Sequence, residues 1–158
     1  MLDVIFIIKF VHMIAMAVMF GTWATIALFM LYARSSNNTS VVALTAVFVV
    51  RAEFTLMAAA VALQPLAGFP LALAIGAQLD EYWIELSVGV YVAVVAAWLA
   101  NLMIELRIRK LTQQAALDGK PLPDSYRPLF RLWSAFTLAG FAGMIAIMAL
   151  MIWQPHWY

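Results

Sequence analysis

The residues best suited to chemistry stand near the start of the chain. Lys9 and His12 interrupt the apolar run Val4 to Ala33, which holds no Asp, Glu or Arg. Neutral imidazole ligates haem iron or a transition metal, and a nearby ammonium pairs with a propionate or another anion. Ionisable groups within a membrane-length segment are expensive and usually face a bundle interior or a polar cavity. Lys9, His12, Met16, Met19 and Trp23 recur at steps of three and four, so they share one helical face. The competing reading is a histidine hydrogen-bonded across a helix bundle, with Lys9 snorkelling outward. On the same segment Ala17, Gly21 and Thr25 form a line of small residues that permits close helix–helix approach.

Helices must position these groups. Of the 158 residues 66% are hydrophobic and 11% charged; a soluble domain has nearer half and a quarter. The composition therefore indicates a polytopic membrane protein. Four transmembrane helices are expected in a single domain, residues 1–158: about 4–33, 54–75 with an extension from 41, 83–108 and 128–153. Arg51 and Glu53 interrupt the second segment. Residues 41–50 are expected to lie at the membrane surface or pack on neighbours. Alternatively one helix runs from Val41 and breaks near Gln64-Pro65 or Gly68-Phe69-Pro70. Thr39 or Ser40 is the expected cap of that helix. Residues 111–126, with Gly119, Pro121 and Pro123, read as a loop, after an extra helical turn or two. The first segment is too long for the core of a signal peptide and lacks a basic leader, so it is expected to be retained.

Loop charge sets the expected orientation. The third connection carries Arg107, Arg109, Lys110, Lys120 and Arg127, and the first carries Arg34; the second has only acids. The positive-inside rule puts the first and third connections in the cytoplasm and both termini on the periplasmic side. Tyr82, Trp83, Trp153, Trp157 and Tyr158 then form an outer aromatic belt. The fold class is an all-α integral membrane four-helix bundle, multi-pass in a bacterial inner membrane.

This topology gathers polar side chains into two layers. The outer layer holds Lys9, His12 and Glu85, with Gln64, Gln78, Asp80, Glu81 and His156 as neighbours. The inner layer holds Arg34, Arg51, Glu53, Asn101, Glu105, Arg107 and Arg131, expected mostly as interfacial ion pairs and headgroup contacts. Arg51 and Glu53 are the members expected to pair with another helix. The candidate cofactor-binding residues are His12, Lys9, Glu85 and Arg51, with His12 the metal ligand; no catalytic residue is assigned. Met144, Met148 and Met151 share a face of the last helix, and thioethers suit Cu(I); methionine is also ordinary filling for apolar helices. The absence of cysteine excludes disulfides, thiolate metal sites and covalent c-type haem attachment. No glycine-rich phosphate loop, nucleophile elbow or HExxH helix occurs, and a net charge of +1 gives no reason to expect nucleic acid.

The order of several short motifs carries a resemblance. Lys9-Phe10-Val11-His12 and Gly21 lie on the first segment and Gln64-Pro65-Leu66-Ala67-Gly68 on the second. Trp133, Gly140 and Met151-Ile152-Trp153-Gln154-Pro155 lie on the last. Together they resemble an uncharacterised family of small bacterial four-helix integral membrane proteins, a domain of unknown function, over essentially the whole chain. More distantly the chain resembles HemJ-type membrane protoporphyrinogen oxidases and CopD-type copper-resistance proteins. The HemJ likeness implies a functional first-helix histidine with haem association, carried over to His12 alone. The chain lacks that type's Tyr-Leu-Pro-Arg run after the first-helix glycine. It has Glu85 and Ser87 where a lysine is expected, and no histidine in the third helix.

The expectation is a b-type haem or related tetrapyrrole held by His12, in electron transfer or haem handling; if an enzyme, the protein is a membrane oxidoreductase. The alternatives are an accessory or assembly subunit of a larger membrane complex, or proton or copper transport. Expected partners are the lipid bilayer, haem or porphyrin, and a membrane protein or a second copy of the chain.

Overall fold

A computed structural model describes residues 2–154. These residues form four helices: α1 Leu2–Ser35, α2 Thr39–Ala74, α3 Tyr82–Leu117 and α4 Tyr126–Trp153. No strand occurs among the described residues. All four are long and apolar enough to cross a membrane. Their outer faces stay apolar: Leu66, Leu138 and Ile152 are 70%, 72% and 75% exposed. Such a surface suits lipid rather than water.

Each connection has a local cause. Asn38 caps α2, its side-chain oxygen accepting from the Ser40 and Val41 amides at 2.9 and 3.3 Å. The cap therefore falls one residue before Thr39, on a side chain well suited to the non-helical cap position. The ends of α2 and α3 both use glycine in the left-handed region. Gly76 (φ +79°) bonds back to Leu73, and Ala77 to Ala72; Gly119 (φ +65°) bonds back to Ala116, and Lys120 to Ala115. This paired closure satisfies carbonyls that the last turn leaves free. It also sets the end of α3 at Leu117, past the basic cluster, where Thr112 and Ala115 are still buried.

The second segment is helical from Thr39 to Ala74 and does not break at Pro65 or Pro70. Its irregular turn lies at Glu53–Met57, a π turn in which the Ala58 amide reaches the Glu53 carbonyl. The Thr55 hydroxyl donates to the Arg51 carbonyl at 2.8 Å. Proline removes a donor, so Pro65 leaves the Val61 carbonyl without its usual partner. The Tyr91 hydroxyl from α3 donates to that oxygen, as neighbouring helices must in a membrane.

Two apolar clusters fill the bundle. One lies toward the α1–α2 and α3–α4 connections and takes Ile26, Met30, Val42, Val49, Ile108, Phe130 and Trp133 from all four helices. The other takes Met19, Trp23, Met57, Val94, Trp98 and Met144, again from all four. Gly140 is necessary to the second: a Cβ there would lie 2.2 Å from the Trp23 ring. Gly140→Ala is therefore expected to lower stability by about 1–3 kcal/mol through overpacking. Unfolding of the detergent-solubilised protein, followed by circular dichroism, checks this. The small-residue line of α1 points the other way, with Ala17, Gly21 and Thr25 exposed on the outer face.

Candidate functional site

The face of α1 that carries His12 turns inward. Met19 and Trp23 are buried, Met16 is half-buried, and His12 stands half-buried at the upper edge of the stripe. The His12 Nδ1 lies 3.2 Å from the Gln64 carbonyl of α2. A carbonyl can only accept, so Nδ1 carries the hydrogen and donates. In the neutral ring the lone pair is then on Nε2. Gly68, one turn beyond Gln64, lets the ring approach α2, since a Cβ at that position would lie 3.1 Å from Cε1. The Gln-Pro-Leu-Ala-Gly run thus does three things. Gln64 orients the imidazole, Gly68 admits it, and Pro65 frees the carbonyl that Tyr91 takes. The Gln64 side chain is itself buried, with its Oε1 unpaired.

The other candidate cofactor-binding residues and the rest of the outer layer are placed differently. Lys9 and Glu85 are exposed. Arg51 is exposed on α2, thirteen residues before Gln64, or about 20 Å along the helix axis. It is not brought to His12. Glu81 accepts from the Gln78 amide and from the Trp83 Nε1 at 2.8 and 2.7 Å, so it ties the second connection together. Of the belt aromatics Tyr82 and Trp153 are exposed and Trp83 is buried; His156, Trp157 and Tyr158 lie outside the described residues. The methionines do not converge: Met144 is buried in the core, whereas Met148, Met151 and Met13 are exposed. No group of three or more His, Cys, Asp or Glu placed to hold a metal occurs among the described residues.

The inner layer departs most from expectation. Glu105 is expected in an interfacial ion pair and Glu53 is expected to pair with another helix; the two are 1% and 3% exposed. Among the described residues neither lies within ion-pair distance of a basic side chain. Each instead accepts from an indole. Trp98 Nε1 donates to Glu53 Oε2, and Trp133 Nε1 donates to Glu105 Oε1 at 2.8 Å. Asn101, also buried, donates to the Thr137 hydroxyl at 2.8 Å, and that hydroxyl donates to the Trp133 carbonyl. Between the two apolar clusters there is thus a polar layer of Glu53, Trp98, Asn101, Glu105, Trp133 and Thr137. The basic groups of the inner layer stay exposed: Arg34 packs its guanidinium 4.4 Å from the centre of the Phe130 ring, a cation–π contact. Sequence reading missed the roles of Trp98 and Thr137. Trp98, Asn101 and Glu105 stand at steps of three and four, so their common face was readable; their burial was not.

Comparison with known proteins adds one result. A family described as "Predicted integral membrane protein (DUF2269)" matches residues 6–155, and the chain belongs to it. Neither a curated protein nor a solved structure matches.

Proposed function

We propose that this member of the integral membrane family binds a b-type haem or related tetrapyrrole through His12, for electron transfer or haem handling. The observation that supports the reading is the bond from His12 Nδ1 to the Gln64 carbonyl. Histidines that ligate metals usually donate their other ring nitrogen in this way, which fixes the tautomer and raises ligand basicity. The donor set suits the group: one imidazole with its lone pair on Nε2, held by a glycine-floored contact with α2. Haem in such a site supplies one-electron chemistry. The chain's own part is to orient the ring through Gln64, to seat it on Gly68, and to keep α2 intact behind it through Tyr91. Lys9, three residues before His12 and exposed, is available to an anionic substituent outside the bundle.

Absorption spectra of protein purified in mild detergent, oxidised and dithionite-reduced, test the reading. The wild type is expected to show a Soret band with reduced α and β bands. His12→Ala is expected to lose most of the bound haem, about tenfold or more in occupancy, as loss of a metal-supporting contact alone already costs 10–100-fold. Full haem with an unchanged spectrum in His12→Ala removes the ligand assignment. A second reading, an accessory subunit packed on a larger membrane complex, draws on the exposed Ala17, Gly21 and Thr25 line of α1. A flat visible spectrum, with haem supplied during expression, favours it.

A further inference from the structure

The polar layer between the two apolar clusters has an excess of acceptors. Glu53 and Glu105 are both buried in it, and among the described residues no basic side chain is paired with either. The two indole donors are already used, one on each carboxyl group. Two buried oxygens remain without a partner, Glu105 Oε2 and Asn101 Oδ1. They stand on residues four apart in α3, one turn from each other on the same face. The orientation of the Asn101 amide follows from its neighbour. The Thr137 hydroxyl spends its hydrogen on the Trp133 carbonyl, so it can only accept from Asn101, and the nitrogen of that amide must face it. The oxygen is left over.

Neighbouring acceptors need a positive centre between them. A bridging water satisfies two oxygens but leaves the charge of an ionised carboxyl group uncompensated in a low-dielectric interior. Isolated buried carboxylates of that kind cost several kcal/mol each. A bound cation meets both requirements at once. The third observation is the backbone: Glu53 opens the π turn of α2, an irregularity frequent at functional sites.

We propose that Glu105 Oε2 and Asn101 Oδ1, with the Glu53 carboxyl in the same buried layer, form a membrane-embedded site for one small cation held through oxygen, either a proton or an alkali ion such as sodium. Carboxyl and amide oxygens suit hard cations of this class. The site does not depend on His12. Gln64 is eleven residues beyond Glu53 on α2, about 16 Å along the axis.

Infrared spectra of the full chain in lipid vesicles, in choline chloride and then in sodium chloride, read the occupant directly. A proton gives a protonated-carboxyl C=O band in both salts. A sodium ion gives a carboxylate band that changes when choline is exchanged for sodium. In either case the signal is expected to vanish in Glu105→Gln and to shift in Asn101→Ala. The second variant keeps the test available if the first does not fold, which circular dichroism reports. A wild type with neither signal overturns the proposal, and so does a signal left unchanged by both substitutions.

Discussion

Replacing Trp133 with alanine is expected to lower stability by about 3–5 kcal/mol, the usual range for emptying a large buried aromatic site. Trp133 is 1% exposed, and its ring sits 5.1 Å from that of Phe130, centre to centre. Packing contacts of this kind hold helices together in lipid, where the solvent offers little hydrophobic drive between them. The substitution also removes the donor to Glu105 Oε1. Glu105 Oε2 already has no protein partner, so both carboxyl oxygens would then lack one. Stranding a buried acceptor costs about 1–3 kcal/mol by itself. Trp133→Phe separates the two contributions, since it keeps most of the ring volume and loses only the N–H. It is expected to cost about 1–3 kcal/mol. Trp153→Ala is the control: Trp153 is 80% exposed, and a surface change of this kind stays within about 0.5 kcal/mol. Titration with a denaturing detergent, followed by circular dichroism, ranks the three. A loss at Trp133→Ala no larger than at Trp153→Ala would mean that the polar layer does not join α3 to α4.

How much of this was readable in advance depends on where each residue's partner lies in the chain. The four helices were legible because long apolar runs and turn residues are local signals. The inward direction of the His12 face was legible for the same reason: Met19 and Trp23 continue its stripe, and both are buried. The course of α2 was harder to read. Arg51 and Glu53 look like residues at the edge of a span, yet α2 runs on through both. Arg51 is exposed, whereas two residues later Glu53 is in the core. The difference is Trp98, forty-five residues further on, which no local pattern reveals. Pro65 misleads in the same way. Proline in a helix predicts a break, but Tyr91 takes the freed carbonyl, and the helix continues. The candidate cofactor residues beside His12 show the limit of such signals. Lys9, Glu85 and Arg51 are all exposed, and neither charge nor depth fixes which way a helix face points.

The double substitution Glu53→Leu with Trp98→Phe is expected to leave the protein within about 1 kcal/mol of the wild type or more stable. Replacing both partners of a buried hydrogen bond by apolar groups of similar shape is nearly neutral or stabilising. Glu53 and Trp98 form a pair in which each satisfies the other, so removing both strands neither. Each single substitution does strand one. Glu53→Leu leaves the Trp98 N–H in the core without an acceptor, and Trp98→Phe leaves a Glu53 oxygen without its donor. Each is expected to cost about 1–3 kcal/mol. The double change therefore recovers what the singles lose, and a double-mutant cycle measures the coupling. If the pair proves dispensable for stability, its presence calls for another reason, and the cation site supplies one. The same double variant should then change the infrared signal assigned to Glu105 while folding normally. A double variant less stable than both singles would point the other way, to a carboxyl group kept because α2 and α3 cannot pack without it.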